Sequence, residues 1–296
     1  MPEHQRYQEL IAREARHWGE VRPDPSNPQL WHDPELYEIF FGVEYRAFIN
    51  RISAQGNTVL ELGCGEGKLA MELAQRGMKV TAIDVSPERI QRATDAAHAS
   101  GLGSRITFVV DDLNAASFPS EAFDCVVAHD ALHHILNIDR LCEEVGKALK
   151  PGCSFMVMDF VGMGPIRKIL AALLYAALPT YQPYRAKWNL RHRLPAFFAS
   201  EKSKRNALEG GTSSLLHPDS PFEEISQQSM IDSIKKRFTV IEQQGFAPFF
   251  YYLAPKVRLP RAVRYSAARS LKSADNLLLR LRLSEGAYFF LEARKG

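Results

Sequence analysis

The chain has 296 residues, 46% of them hydrophobic, so it can bury a large core without disulfide or metal staples. Lys plus Arg (37) barely exceed Asp plus Glu (34), and the net charge of +3 is too small to imply a nucleic-acid partner. There is no run of about 18 apolar residues, which excludes a membrane-spanning helix, and the charged stretch 1–20 lacks the apolar segment of a signal peptide.

Residues 1–20 read as an amphipathic helix, with Tyr7, Leu10, Ile11, Ala15 and Trp18 on one stripe, broken by Pro23, Pro25 and Pro28. Asp33-Pro34 opens a second, strongly apolar helix. From residue 58 the pattern becomes strand and helix in alternation. Strands are expected at Thr58–Leu62, Lys79–Ile83, Ile106–Val110, Phe123–Ala128 and Ser154–Phe160, with helices at Lys68–Arg76, Pro87–Ser100 and Ile138–Leu149. Phe123–Ala128 and Ser154–Phe160 show no polar alternation, as strands covered on both faces should. This rhythm predicts an α/β, doubly wound, mostly parallel sheet. Residues 162–230 read as a mostly helical insertion ending in a turn-rich run at 210–221, and Phe238–Gln243 and Tyr288–Ala293 as closing strands. The four cysteines, Cys64, Cys125, Cys142 and Cys153, form no CxxC pair and are expected to be reduced, as in a cytoplasmic protein.

The chemistry begins at Glu61-Leu62-Gly63-Cys64-Gly65-Glu66-Gly67, between the first strand and its helix. A helix N-terminus offers unpaired N–H groups, and glycine lets a ligand approach the backbone. Dinucleotide domains use the same device, which leaves an NAD-linked oxidoreductase as an alternative. Here, however, the spacing is GxGxG rather than GxGxxG, and Glu61 adds a carboxylate suited to a cation. Asp84, 21 residues past Gly63, can take both hydroxyls of a ribose, and Asp112-Leu113 after the third strand can hold an adenine.

With these features in order, residues 58–160 resemble the class I S-adenosylmethionine (SAM) dependent methyltransferases. The matching stretches are Val59–Gly67, Val80–Ser86, Phe108–Leu113, Phe123–His134 and Leu149–Phe160. The resemblance implies a seven-stranded Rossmann-like sheet and SAM as cofactor. Gly63, Gly65 and Gly67 would line the methionine and ribose, with Glu61, Cys64 and Val85 in the same motifs. Asp84 would bind the ribose, Asp112 and Leu113 the adenine, and the backbone near His129 the amino group.

Acceptor chemistry is expected beyond the carboxyl ends of the fourth and fifth strands. His133 and His134 are the base candidates, because imidazole accepts a proton near neutrality, and Asp159 is the candidate orienting partner or acceptor-binding group. Tandem histidines with an acid about 25 residues later are similar to those of small-molecule and sugar O-methyltransferases. Packing beside the cofactor is the competing role for the two histidines. His129, Asp130, His133 and His134 are of the types that bind transition metals, but no metal is expected.

Four regions follow: a helical lid at 1–50, a SAM-binding core at 51–161, a helical insertion for the acceptor at 162–230, and C-terminal strands at 231–296 with a basic helical segment at 256–282. Trp18, Trp31, Tyr37, Phe40, Phe41 and Tyr45 would cover the cofactor, pack on the core, or do both. Ile166–Leu178 and the basic segment hint at a membrane surface or an anionic, lipid-linked acceptor, with a solvated basic face as the preferred reading. The expected activity is methyl transfer to a small molecule, at a hydroxyl of a sugar, glycolipid or other metabolite. A non-catalytic SAM-binding protein is the further alternative, and no nucleic acid is expected as partner.

Overall fold

The computed structural model describes residues 3–21, 24–187, 204–206 and 220–296. Much of the expected insertion at 162–230, nearly all of its turn-rich run, and Pro23, Arg191 and Arg193 lie outside the described residues.

Helix α1 (Glu3–Glu20) and helix α2 (Pro34–Ser53) precede the sheet. Asp33 caps α2 by accepting the N–H of Leu36 at 3.1 Å, and Pro34 fills the first turn, where no N–H is required. The core then runs β1 (Thr58–Leu62), α3 (Lys68–Gln75), β2 (Lys79–Asp84), α4 (Pro87–Ala99), β3 (Ile106–Val110), β4 (Phe123–His129), α5 (Ile138–Ala148) and β5 (Leu149–Phe160). After α6 (Pro165–Ala177) come α7 (Met230–Arg237), β6 (Thr239–Phe246), α8 (Arg261–Arg280) and β7 (Tyr288–Arg294).

The seven strands form one sheet in the order β3-β2-β1-β4-β5-β7-β6. β1 to β5 are parallel, while β7 runs antiparallel between β5 and β6. Successive residues of a strand face opposite layers, and both layers here are apolar. Cys125 and Val127 of β4 pack into a core shared with α2, α3 and α8, whereas Val126 and Ala128 face α5 and α7. Such coverage explains why the sequence of β4 lacks polar alternation. α2 is part of this core: Phe40, Phe48 and Ile52 are fully buried, and the helix continues past residue 50 to Ser53.

α8 carries the expected basic segment, and three of its five cations are answered within the chain. Arg264 meets Asp33, Arg269 meets Glu35, and Lys272 meets Glu44, all on or beside α2. Among the described residues no helix is long and apolar enough to cross a membrane. All four cysteines are free.

Candidate active site

The reversal of strand order, between β1 and β4, opens a cleft at the carboxyl ends of the strands. With the open solvent at its mouth included, the space there is about 650 Å³. Of the residues expected at a cofactor, Gly63, Asp84, Val85, Asp112 and Leu113 line it.

The glycine loop is shaped by contacts behind the cleft. Gly63 has φ +72°, and a Cβ there would stand 2.4 Å from that of Ala131, so only glycine lets the loop approach the turn after β4. Gly65 donates its N–H to Asp84 Oδ2 at 2.8 Å, and Ser86 donates to the other oxygen at 2.9 Å. Asp84 is thus fixed before any ligand arrives. Gly67 begins α3, and its Cα packs so closely that a Cβ would lie 2.9 Å from the ring of Phe108. Cys64 is buried beneath the loop. Glu61 also lies below it, 3% exposed, with Oε2 unpartnered; burial and then the charge of Asp84 push its carboxyl up to about 8. Glu61, Cys64, Gly65 and Gly67 therefore sit behind the cleft wall rather than on it.

Helix α1 forms the opposite wall with Ile11, Glu14 and Trp18. Tyr7 donates its hydroxyl to Asp112 Oδ2 at 2.5 Å, and Asn114 Nδ2 donates to Oδ1 at 3.0 Å. Arg89 donates Nε–H to the carbonyl of Trp18 and lies over its ring, 4.6 Å from the centroid. The expected cover by the N-terminal aromatics divides. Trp18 faces this cleft, Trp31, Tyr37 and Phe41 line a second cavity, and Phe40 and Tyr45 are core.

The second cavity adds Tyr251 and Tyr288, and Asp130 borders both spaces. Asp130 adopts φ +51°, a costly conformation for a non-glycine residue, at this junction. His129 turns toward α2, with Nε2 3.4 Å from the hydroxyl of Tyr37; burial pushes it down to about 4, so it is neutral.

The tandem histidines occupy a single turn after β4. Asp159, wholly buried at the end of β5, accepts from the backbone N–H of Leu132 at 2.7 Å and of Ala131 at 3.2 Å. Its other oxygen is 2.5 Å from His133 Nδ1. Burial opposes charge on His133, but the carboxylate outweighs it and holds the imidazole protonated, well above its usual range. Asp159 thus partners His133 and not His134. The partner of His134 is Glu14 of α1, whose Oε1 lies 3.2 Å from Nδ1, a charge contact off the line of a hydrogen bond. His134 lines the cleft, and Glu223 approaches the Nε2 of both rings. Glu14 and Glu223 escaped the sequence reading, because each reaches the cluster from more than 80 residues away along the chain.

A family model described as a methyltransferase domain matches residues 59–152. The chain is 36% identical over 107 residues to sterol 24-C-methyltransferase of Gibberella zeae, covering 36% of this chain and 28% of that protein. It is 30% identical over 107 residues to 27-O-demethylrifamycin SV methyltransferase of Amycolatopsis mediterranei, covering 36% and 39%. It is also 35% identical over 121 residues to an uncharacterised methyltransferase of Mycobacterium tuberculosis, covering 40% and 59%. The chain carries a class I SAM-dependent methyltransferase domain. It spans less than two thirds of the length of these curated relatives. In fold it is similar to the [4+2]-cyclase SpnF, with a TM-score of 0.50 and 20% identity over 84% of this chain and 80% of that one.

The cofactor of such a domain is SAM, and the residues present suit it. Asp84 stands on the wall and the orphaned Glu61 oxygen lies beneath the loop. The Asp84 carboxylate suits the ribose that SAM would bring, and the Glu61 carboxyl, once ionised, would suit its cationic methionine end. The methyltransferase domain sets aside the NAD-linked alternative.

Proposed function

We propose that this chain methylates a hydroxyl of a small molecule, with the cluster at the ends of β4 and β5 handling the acceptor proton. The observation that carries this reading is His134: it lines the cofactor cleft with Glu14 at one ring nitrogen and Glu223 at the other. SAM supplies a methyl group already activated on a sulfonium, so the protein's task is to align the acceptor and remove its proton. In this reading Asp84 holds the ribose, Asp112 and Leu113 hold the adenine, and Gly63 borders the methionine end, with the rest of its loop behind it. His134 is the base and Glu14 steadies its ring. His133, kept protonated by Asp159, stabilises negative charge on the acceptor oxygen.

The second cavity supports an acceptor with a flat or ring-shaped body. Its walls carry Trp31, Tyr37, Phe41, Tyr251 and Tyr288, faces on which a sugar or another ring can stack, and it meets the cleft at Asp130. An anionic substituent would find Lys256, buried behind Gln29 and Tyr252, its ammonium held by the neutral Gln29 Oε1 at 3.1 Å. A membrane-surface role is weakened at α8, where Arg264, Arg269 and Lys272 pair with Asp33, Glu35 and Glu44.

Because SpnF, a fold relative, is a cyclase, the deciding assay must read transfer itself. Methyl-labelled SAM is incubated with the protein and fractionated cell extract, and labelled products are identified by mass spectrometry. Label in a small molecule, lost in His134→Ala, is the expected result. SAM binding with no labelled product in any fraction would overturn the proposal and favour a non-catalytic SAM-binding protein.

A further inference from the structure

The acid–base cluster has a second chemical capacity, set by how its six donor atoms are directed. His133 Nε2 lies 4.0 Å from Glu223 Oε1, and His134 Nε2 lies 3.7 Å from Glu223 Oε2. The ring centroids of the two histidines are 4.1 Å apart. One ligand atom from each of the three residues falls within 4.8 Å of the others. On the far side of each ring, Nδ1 faces a further carboxylate: Asp159 for His133 and Glu14 for His134.

This is the donor set that borderline divalent cations select. Imidazole nitrogen and carboxylate oxygen bind zinc at about 2.0–2.2 Å in tetrahedral geometry, so ligand atoms stand roughly 3.3–3.5 Å apart. Bringing one Glu223 oxygen to that spacing asks for a rotation of its side chain, which is one-third exposed. The outer carboxylates face Nδ1 of each ring, so a metal ion at Nε2 would displace the proton that His133 otherwise carries there while each Nδ1 keeps its own. The surroundings are also anionic, with Glu14, Asp159, Glu223 and the nearby Asp130 against the two imidazoles.

We propose that His133, His134 and Glu223 bind one divalent transition-metal ion of the zinc class, and that this ion occupies the His134 nitrogen that would otherwise take the acceptor proton, and so excludes that proton. Binding follows from the geometry alone. The exclusion, seen as inhibition of methyl transfer, rests on the proposed role of His134 as base.

The test uses the untagged full-length chain. Cobalt(II) is titrated in as a spectroscopic probe, with visible absorption as the readout, and zinc is then added in competition. One ion per chain, displaced by zinc and bound at least tenfold more weakly by Glu223→Gln, is the expected result. SAM binding by Glu223→Gln serves as the check on its fold, and Glu223→Asp, which keeps a carboxylate, should retain more affinity than Glu223→Gln. Absence of a bound-cobalt spectrum, or an affinity unchanged in Glu223→Gln, would overturn the site. Saturating zinc should also stop methyl transfer, with recovery on adding a chelator. Stoichiometric binding with undiminished transfer would overturn the exclusion and the base assignment together, while leaving the site itself standing.

Discussion

His133 and Asp159 meet at 2.5 Å between Nδ1 and Oδ1, joining the turn after β4 to the end of β5. The same carboxylate also receives the N–H groups of Ala131 and Leu132, so one buried side chain fixes both the backbone of this turn and the charge of its first histidine. Asp159→Asn cannot accept on every side at once, because its amide NH₂ would face donors. Removing one partner of a buried pair costs about 3–5 kcal/mol. Asp159→Asn should therefore lower the urea midpoint by an equivalent amount and reduce kcat by about 100-fold, the scale of a lost oxyanion-type contact. Steady-state kinetics and urea titration check this, and full activity in the variant would remove Asp159 as a positioning residue.

The glycines of the loop should differ in their tolerance. Gly63 and Gly65 both have positive φ, so alanine at either costs about 1–2 kcal/mol in backbone strain. At Gly65 the new Cβ would meet only the movable end of Arg89, at 3.4 Å, whereas at Gly63 it would meet Ala131 Cβ at 2.4 Å. Gly63→Ala should consequently lose SAM affinity by well over tenfold and lower Tm more than Gly65→Ala. Calorimetric titration with SAM and thermal melts separate the two. Equal behaviour would mean that the loop and the turn after β4 are not locked together.

The contrast between these glycines and the histidine cluster shows what was legible in the sequence. Short apolar runs and period-3.6 patterns located the core strands and helices, because each depends on neighbours in the chain, although β5 begins at Leu149, five residues before the expected Ser154. Asp84 and Asp112 were legible for the same reason, each standing at the end of a strand. The lid did not yield so readily. Tyr7 reaches Asp112, Glu14 reaches His134, and Glu223 closes the cluster, and all three are long-range contacts with no local signature. The basic stretch of α8 suggested an external anion because its partners Asp33, Glu35 and Glu44 lie more than 200 residues away in sequence. Assigning Asp159 to one of two adjacent histidines likewise required the rotamers, not the spacing.

Glu61 should impose a pH dependence on the SAM-free protein. Burial and the charge of Asp84 push its carboxyl up to about 8, against roughly 4.3 in the unfolded chain. The folded state thus holds a proton that the unfolded state has released. That contribution to stability is fully present below the unfolded value and is lost as pH rises through about 8. Thermal melts between pH 5 and 9 should show Tm falling more steeply for the unmodified protein than for Glu61→Gln. Saturating SAM should flatten the difference by stabilising the ionised carboxylate. Parallel profiles without SAM would place the protonation change elsewhere.

Glu14 tests whether α1 belongs to the chemistry or only covers it. Its Oε1 accepts from Trp18 Nε1 at 2.8 Å, and its Oε2 accepts from Ser220 Oγ at 2.8 Å, so α1, the cleft wall and the segment after β5 meet at one buried carboxylate. Glu14→Gln keeps the size but turns an NH₂ toward these donors, a mismatch costing about 1–3 kcal/mol. If Glu14 also steadies the ring of His134, kcat should fall by tenfold or more while the KM for the acceptor changes little, since the second cavity is built from other residues. The effect should persist at temperatures far below the melting point of the variant. Loss of stability with an unchanged kcat would reduce Glu14 to a structural tie, and would leave His134 held by Glu223 alone.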